Sequence, residues 1–174
     1  MKKTNNKGFS LVELIIVIAI MAILAGAIAP ALIRYIDKSR KSNDVSAAKT
    51  IKTAVETAMA NEQSYEVLTS GTDDITGIIE VTPGASQTGG VKITKPTADL
   101  VTGDRAAAEA EIAKNIGENM PKIKYKKAAD GTNVPSVWIV TCTKQGTIKV
   151  GLAAAAGGST IDYELVPEIC SYYQ

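Results

Sequence analysis

The polarity of this chain changes in blocks. A basic start with Lys2, Lys3 and Lys7 gives way after Gly8 to an apolar stretch, in which Leu14 to Ile33 is a run of twenty residues without a charge. At about 1.5 Å of rise per residue, that run makes a helix of roughly 30 Å, the thickness of a bilayer's hydrocarbon core. A membrane-spanning segment is therefore expected. Polarity rises after Arg34, yet no proline or glycine follows Pro30 until Gly71, and Ala48, Ile51, Val55 and Ala58 or Met59 recur at helical spacing. The pattern predicts one helix over residues 9–61, about 80 Å long, apolar on every side over 9–33 and amphipathic over 34–61. Pro30 lies inside it and lacks a backbone donor, so it is expected to bend or locally open the helix.

Residues 62–121 read as a connecting loop rich in Thr, Gly, Asp and Pro, with short strands at 78–81 and 91–93. Within that loop, Asp104 is placed to cap a short alanine-rich helix over 105–118, and Pro121 ends it. Strands are predicted at 122–127, 136–142, 147–152 and 160–166, with turns at Asp130-Gly131, Gln145-Gly146 and Gly157-Gly158. Residues 122–174 then form a small antiparallel sheet and a C-terminal segment. The fold class is α+β, a long helix carrying a sheet against its second half. Lys122, Lys124, Lys126 and Lys127 alternate with Ile123 and Tyr125, which reads as a strand with a solvated face rather than a ligand site. Val137 to Val140 is the most apolar strand and is expected to be central, with Trp138 as a core anchor.

Composition narrows the functions open to the chain. With 174 residues, about 140 remain outside the leader and the apolar run, enough for one small domain. Formal charge is +1, and without Lys2, Lys3 and Lys7 the balance is 16 basic against 18 acidic residues, so no basic field for nucleic acid is present. The chain has no histidine. Ser-His-Asp and Cys-His sites and His-ligated metals are thereby excluded, and no Ser-Lys or paired-carboxylate signature stands in their place. No enzyme activity, cofactor or metal is expected, and Asp162, Glu164 and Glu168 are too dispersed to claim a calcium site. Cys142 and Cys170 form no CxxC pair; in a domain carried across a membrane they are expected as one disulfide, with two reduced buried thiols as the alternative.

Glu13 is the residue that composition does not explain. A carboxylate at the head of a membrane helix costs up to about 3 kcal/mol at the bilayer centre and less near the interface, so it asks for a partner. A secretory signal, with Ala27-Ile28-Ala29 as its cleavage site, would leave Pro30 directly behind the cut. A plain uncleaved anchor explains the length of the run and leaves Glu13 unused. A third reading rests on Lys7-Gly8-Phe9-Ser10-Leu11-Val12-Glu13-Leu14-Ile15-Ile16-Val17-Ile18-Ala19-Ile20, which resembles the class III signal of the type IV pilins and their pseudopilin relatives. The match runs from Lys7 to Pro30, and it departs at Ala22, where many pilins carry a glycine.

That resemblance implies a mechanism. Residues 1–8 become a leader cut after Gly8 by a prepilin peptidase, Phe9 becomes an N-methylated first residue, and Glu13 pairs with the terminal amine of a neighbouring copy in a growing filament. Pro30 falls where many pilins bend, and a Cys142–Cys170 bond would match the C-terminal disulfide loop of many pilins. The implied function is a major or major-like subunit of a type IV pilus serving adhesion, twitching motility or related surface roles. A pseudopilin of a type II secretion or competence system is the nearest alternative, and a secreted or membrane-anchored binding module the more distant one. The implied partners are further copies of the chain, the peptidase, the cytoplasmic membrane before assembly, the assembly platform and minor pilins. Charges flanking the apolar run nearly balance, so the resemblance, and not the charge count, places the leader inside and the domain outside.

Overall fold

The computed structural model describes residues 9–70, 73–95 and 102–174; the leader up to Gly8 lies outside them. The chain divides into two units, one ending at Ser39 and the other running from Arg40 to Gln174. The first unit is the opening stretch of helix α1 (Leu11–Ala58), with Pro30 inside the helix and every side chain from Phe9 to Ile36 exposed. Among the described residues of this unit, none is buried by the chain itself.

In the second unit, α1 buries one stripe, Asp44, Ala48, Ile51, Val55 and Ala58, at the helical spacing that the sequence predicts. The helix stops at Ala58, three residues short of the expected end. Ala60 and Asn61 donate to the carbonyls of Thr57 and Ala58 in a tightened last turn, and the side chain of Asn61 then accepts the N–H of Gln63. Asn61 thus caps a second helix, α2 (Glu62–Thr69), where a loop was expected. The signal was present, since an asparagine followed by a glutamate is a helix start. The packing of Val67 and Leu68 in the core holds the new direction.

Five strands follow: β1 (Ile75–Val81), β2 (Val91–Lys95), β3 (Val137–Thr143), β4 (Ile148–Ala153) and β5 (Tyr163–Val166). They form one antiparallel sheet in the order β2-β1-β3-β4-β5. The most apolar strand, β3, is central as predicted. Helix α3 (Thr102–Ile116) starts before Asp104, and Gly117, at φ 123°, ends it ahead of Pro121. Asp104 accepts a hydrogen bond from the Gln63 side chain.

Residues 122–127 form no strand. Ile123 and Tyr125 are buried and the four lysines exposed, so the segment has the expected alternation of faces without being a strand. The reason is Asp44, whose carboxylate accepts the N–H groups of Lys124 at 2.7 Å and Tyr125 at 2.8 Å and so takes donors that a sheet ladder would use.

Most of the core lies between α1, α2, α3 and one face of the sheet. Trp138 is fully buried there, its indole N–H donating to the Pro121 carbonyl at 2.8 Å. The other face carries a smaller cluster of Ile78, Val137, Ile139 and Ala153, which Ile161 packs against. That packing needs Gly151, because a Cβ there would stand 2.2 Å from the Ile161 Cγ2. The β4–β5 connection is held down by Gly157, whose N–H donates to Glu80 at 2.8 Å. Each sheet edge is engaged as well. The Ile93 N–H of β2 donates to Glu109 of α3, and the Glu164 carbonyl of β5 accepts the N–H of Cys170.

Candidate assembly site at the head of the long helix

Ser10 and Glu13 open α1 together. Ser10 is the last residue before the helix, and its backbone N–H donates to the Glu13 carboxylate at 2.9 Å. This is one arm of the capping box that the S-x-x-E pattern makes: an acid in the first turn reaches back to a donor the helix cannot satisfy itself. The aligned peptide dipoles favour negative charge at the same place. The sequence reading treated Glu13 as an acid in need of a partner and overlooked this one. A neutral N–H satisfies one oxygen of the carboxylate and leaves its charge uncompensated, so a cationic partner remains electrostatically favourable.

Phe9, directly before Ser10, lies outside the helix and is exposed. Among the site residues expected from sequence, the structure brings Phe9 and Glu13 to the same helix end, within one turn of chain. Gly8, the expected cleavage position, lies outside the described residues. Pro30 lies farther along, inside α1. Its missing N–H leaves the Gly26 carbonyl, four residues earlier, without a helical donor. Gly26 itself has nothing within 4 Å of where a Cβ would be.

Cys142 and Cys170 are both present as thiols in this structure. Cys142 is sealed in the core within β3, where burial pushes its thiol up to about 12, while Cys170 is half-buried. The described residues hold no group of three or more acids and cysteines arranged to bind a metal.

A second polar centre was missed by the sequence reading. Asp44 is fully buried, and burial raises its pKa against the opposing pull of the Lys124 and Tyr125 N–H groups. Around it, Lys41 donates to the Tyr172 carbonyl and lies 5.2 Å from the Tyr125 ring centre and 4.9 Å from that of Tyr172. Tyr125, Tyr163, Tyr172 and Tyr173 pack with ring centres 5.4 to 6.0 Å apart. The cluster ties the C-terminus to α1 and to the 122–127 segment. No sequence spacing announces it, because its members are up to 132 positions apart, from Lys41 to Tyr173.

Residues 3–29 match the family model described as the prokaryotic N-terminal methylation motif. The chain is similar to a type IV major fimbrial protein, FimA, of Dichelobacter nodosus, with 32% identity over 124 residues, 67% of this chain and 75% of that protein. Fimbrial protein Q of Moraxella bovis is 30% identical over 152 residues, covering 84% of this chain and 90% of its own. A fimbrial protein of Moraxella nonliquefaciens is 39% identical over a shorter 76 residues, 41% of this chain and 49% of that one. No solved structure matches the chain significantly.

Proposed function

This chain belongs to the type IV pilin family and is a structural subunit of a fimbrial filament, and we propose that it enters the filament by pairing Glu13 with the terminal amine of a neighbouring copy. The precursor spans the cytoplasmic membrane through the first stretch of α1, with its leader on the cytoplasmic side. A prepilin peptidase hydrolyses the peptide bond between Gly8 and Phe9, and the new amine at Phe9 is N-methylated. Assembly-platform proteins and minor pilins then bring copies together, and the product is a surface filament used in adhesion or motility.

One observation carries this reading. The methylation motif, residues 3–29, runs through the head of α1, where every side chain from Phe9 to Ile36 is exposed, while the rest of the described chain closes its own core. Large apolar residues exposed elsewhere, Tyr65, Ile75, Val134 and Ile169, are single and scattered. An apolar rod of this kind is stable in lipid or in a bundle of its own copies. Glu13 gives the bundle a register, since its uncompensated charge is best met by an amine, and cleavage creates one a single turn away. Strand addition at the sheet is a poor rival, because both edge strands are short and engaged.

The test is the mature terminus together with the state of assembly. Mass spectrometry is expected to find N-methyl-phenylalanine at Phe9 in material sheared from cells, and electron microscopy to find that material in filaments. A chain that keeps its first eight residues, or that never forms a multimeric thread, overturns the reading.

A further inference from the structure

The domain of residues 40–174 carries opposite charge at the two ends of its stretch of α1. At the Arg40 end, Lys124, Lys126 and Lys127 are exposed on the 122–127 segment, and Arg40 and Lys41 open this stretch of the helix, exposed and half-buried. Two bonds to Asp44 fix the level of this segment on the helix, and Lys41 and Lys127 both lie over the Tyr125 ring. Against these stands the buried Asp44. At the Ala58 end, Glu62 and Glu66 are exposed on α2, Asp73 and Asp74 precede β1, and Asp104 is bonded to Gln63 of α2. Lys95, paired with Asp73 at 2.7 Å, offsets part of that charge, as do Arg105 and Lys144.

If the Phe9 amine of each added copy meets Glu13 of the one before, the copies are parallel and related head to tail, so unlike ends of their domains meet rather than like ones. We propose that Lys124, Lys126 and Lys127 seat the acidic end of a second copy of this chain, with Glu62 and Glu66 as the principal partners. This contact rests on the Glu13 assembly reading. It gives the filament an axial, salt-sensitive bond between outer domains, separate from the helix bundle.

Charge reversal in the full-length chain tests it. Lys124→Glu with Lys126→Glu, and separately Glu62→Lys with Glu66→Lys, are expected to leave leader processing and the melting of the detergent-solubilised subunit unchanged. Each pair is expected to cut the yield of filaments surviving shear at low salt several-fold. All four substitutions in one chain restore the complementarity, and the yield returns to within about twofold of wild type. Wild-type filaments are expected to become shear-sensitive in high salt. The proposal is overturned if either pair assembles like wild type, or if the fourfold variant is no better than the pairs. It is also overturned if the lysine pair keeps its filaments and loses only retention on an anionic resin, which assigns the segment to a polyanion. Absence of filaments from the wild-type chain itself strikes the assembly reading and removes both.

Discussion

The carboxylate of Asp44 and the backbone N–H of Tyr125, 81 positions later, meet in the core at 2.8 Å, and the Lys124 N–H meets the same carboxylate at 2.7 Å. One helix side chain thereby holds a segment that the sheet leaves unpaired. Buried backbone donors must find an acceptor, and here a single residue supplies both.

Replacing Asp44 with alanine orphans two donors in the core. At about 1–3 kcal/mol for each, Asp44→Ala is expected to destabilise the domain by about 2–6 kcal/mol. Asp44→Asn, which keeps one acceptor oxygen, is expected to recover part of this. Urea unfolding of the detergent-solubilised chain, followed by Trp138 fluorescence, measures both, and a loss under about 0.5 kcal/mol for alanine would show the clasp to be redundant.

The same carboxyl sets a pH dependence. Burial raises its folded pKa above the unfolded value of 3.8, so between those two values the folded state holds the proton more tightly. The contribution to stability is then fully present below 3.8 and is lost as pH rises through the raised value. The melting temperature of wild type relative to Asp44→Asn is expected to increase as pH falls from neutral toward 4. A flat difference across that range excludes Asp44 as the titrating group.

The two thiols differ in reach. Cys142 is buried with its thiol pushed up to about 12, and Cys170 is half-buried, so alkylation of the native chain without reductant at mildly alkaline pH is expected to label Cys170 alone. Unfolding in denaturant, still without reductant, is expected to expose the second. Intact mass counts the additions, and no addition until a reductant is supplied would mean that the native protein joins the two sulfurs.

Glu13 both caps its helix and carries charge, and glutamine separates the two. Glu13→Gln keeps an oxygen for the Ser10 N–H and loses the charge, while Glu13→Ala and Glu13→Lys lose the cap as well. If the intersubunit ion pair drives assembly, all three are processed and all three assemble poorly. Wild-type filament yield from the glutamine variant, with failure of the alanine one, would assign Glu13 to capping alone.

The sites differ in how far the residues gave them away. The head of α1 was legible because its meaning is local: a basic leader, Gly8, Phe9 and Glu13 lie within a few turns of chain, and the apolar run declares its solvent by length. The buried stripe of α1, the central place of β3 and the three turns were legible for the same reason, each depending on periodicity or on a glycine within one element. The capping box at Ser10 and the helix start at Asn61 were written in the chain but overlooked, being weaker signals than the pattern running through them. Asp44 could not be found this way, since an aspartate after seven polar or charged neighbours, 37–43, on an amphipathic helix reads as solvated.

The residues by themselves thus determined a membrane-length helix with an acid at its head and an α+β domain behind it, because composition and period act over short stretches of chain. Only the tertiary structure decided that residues 122–127 hang on Asp44 instead of joining the sheet and that Tyr172 meets Lys41. Those outcomes depend on which distant groups arrive together when the core closes, where a buried donor takes the nearest acceptor whatever its place in the sequence.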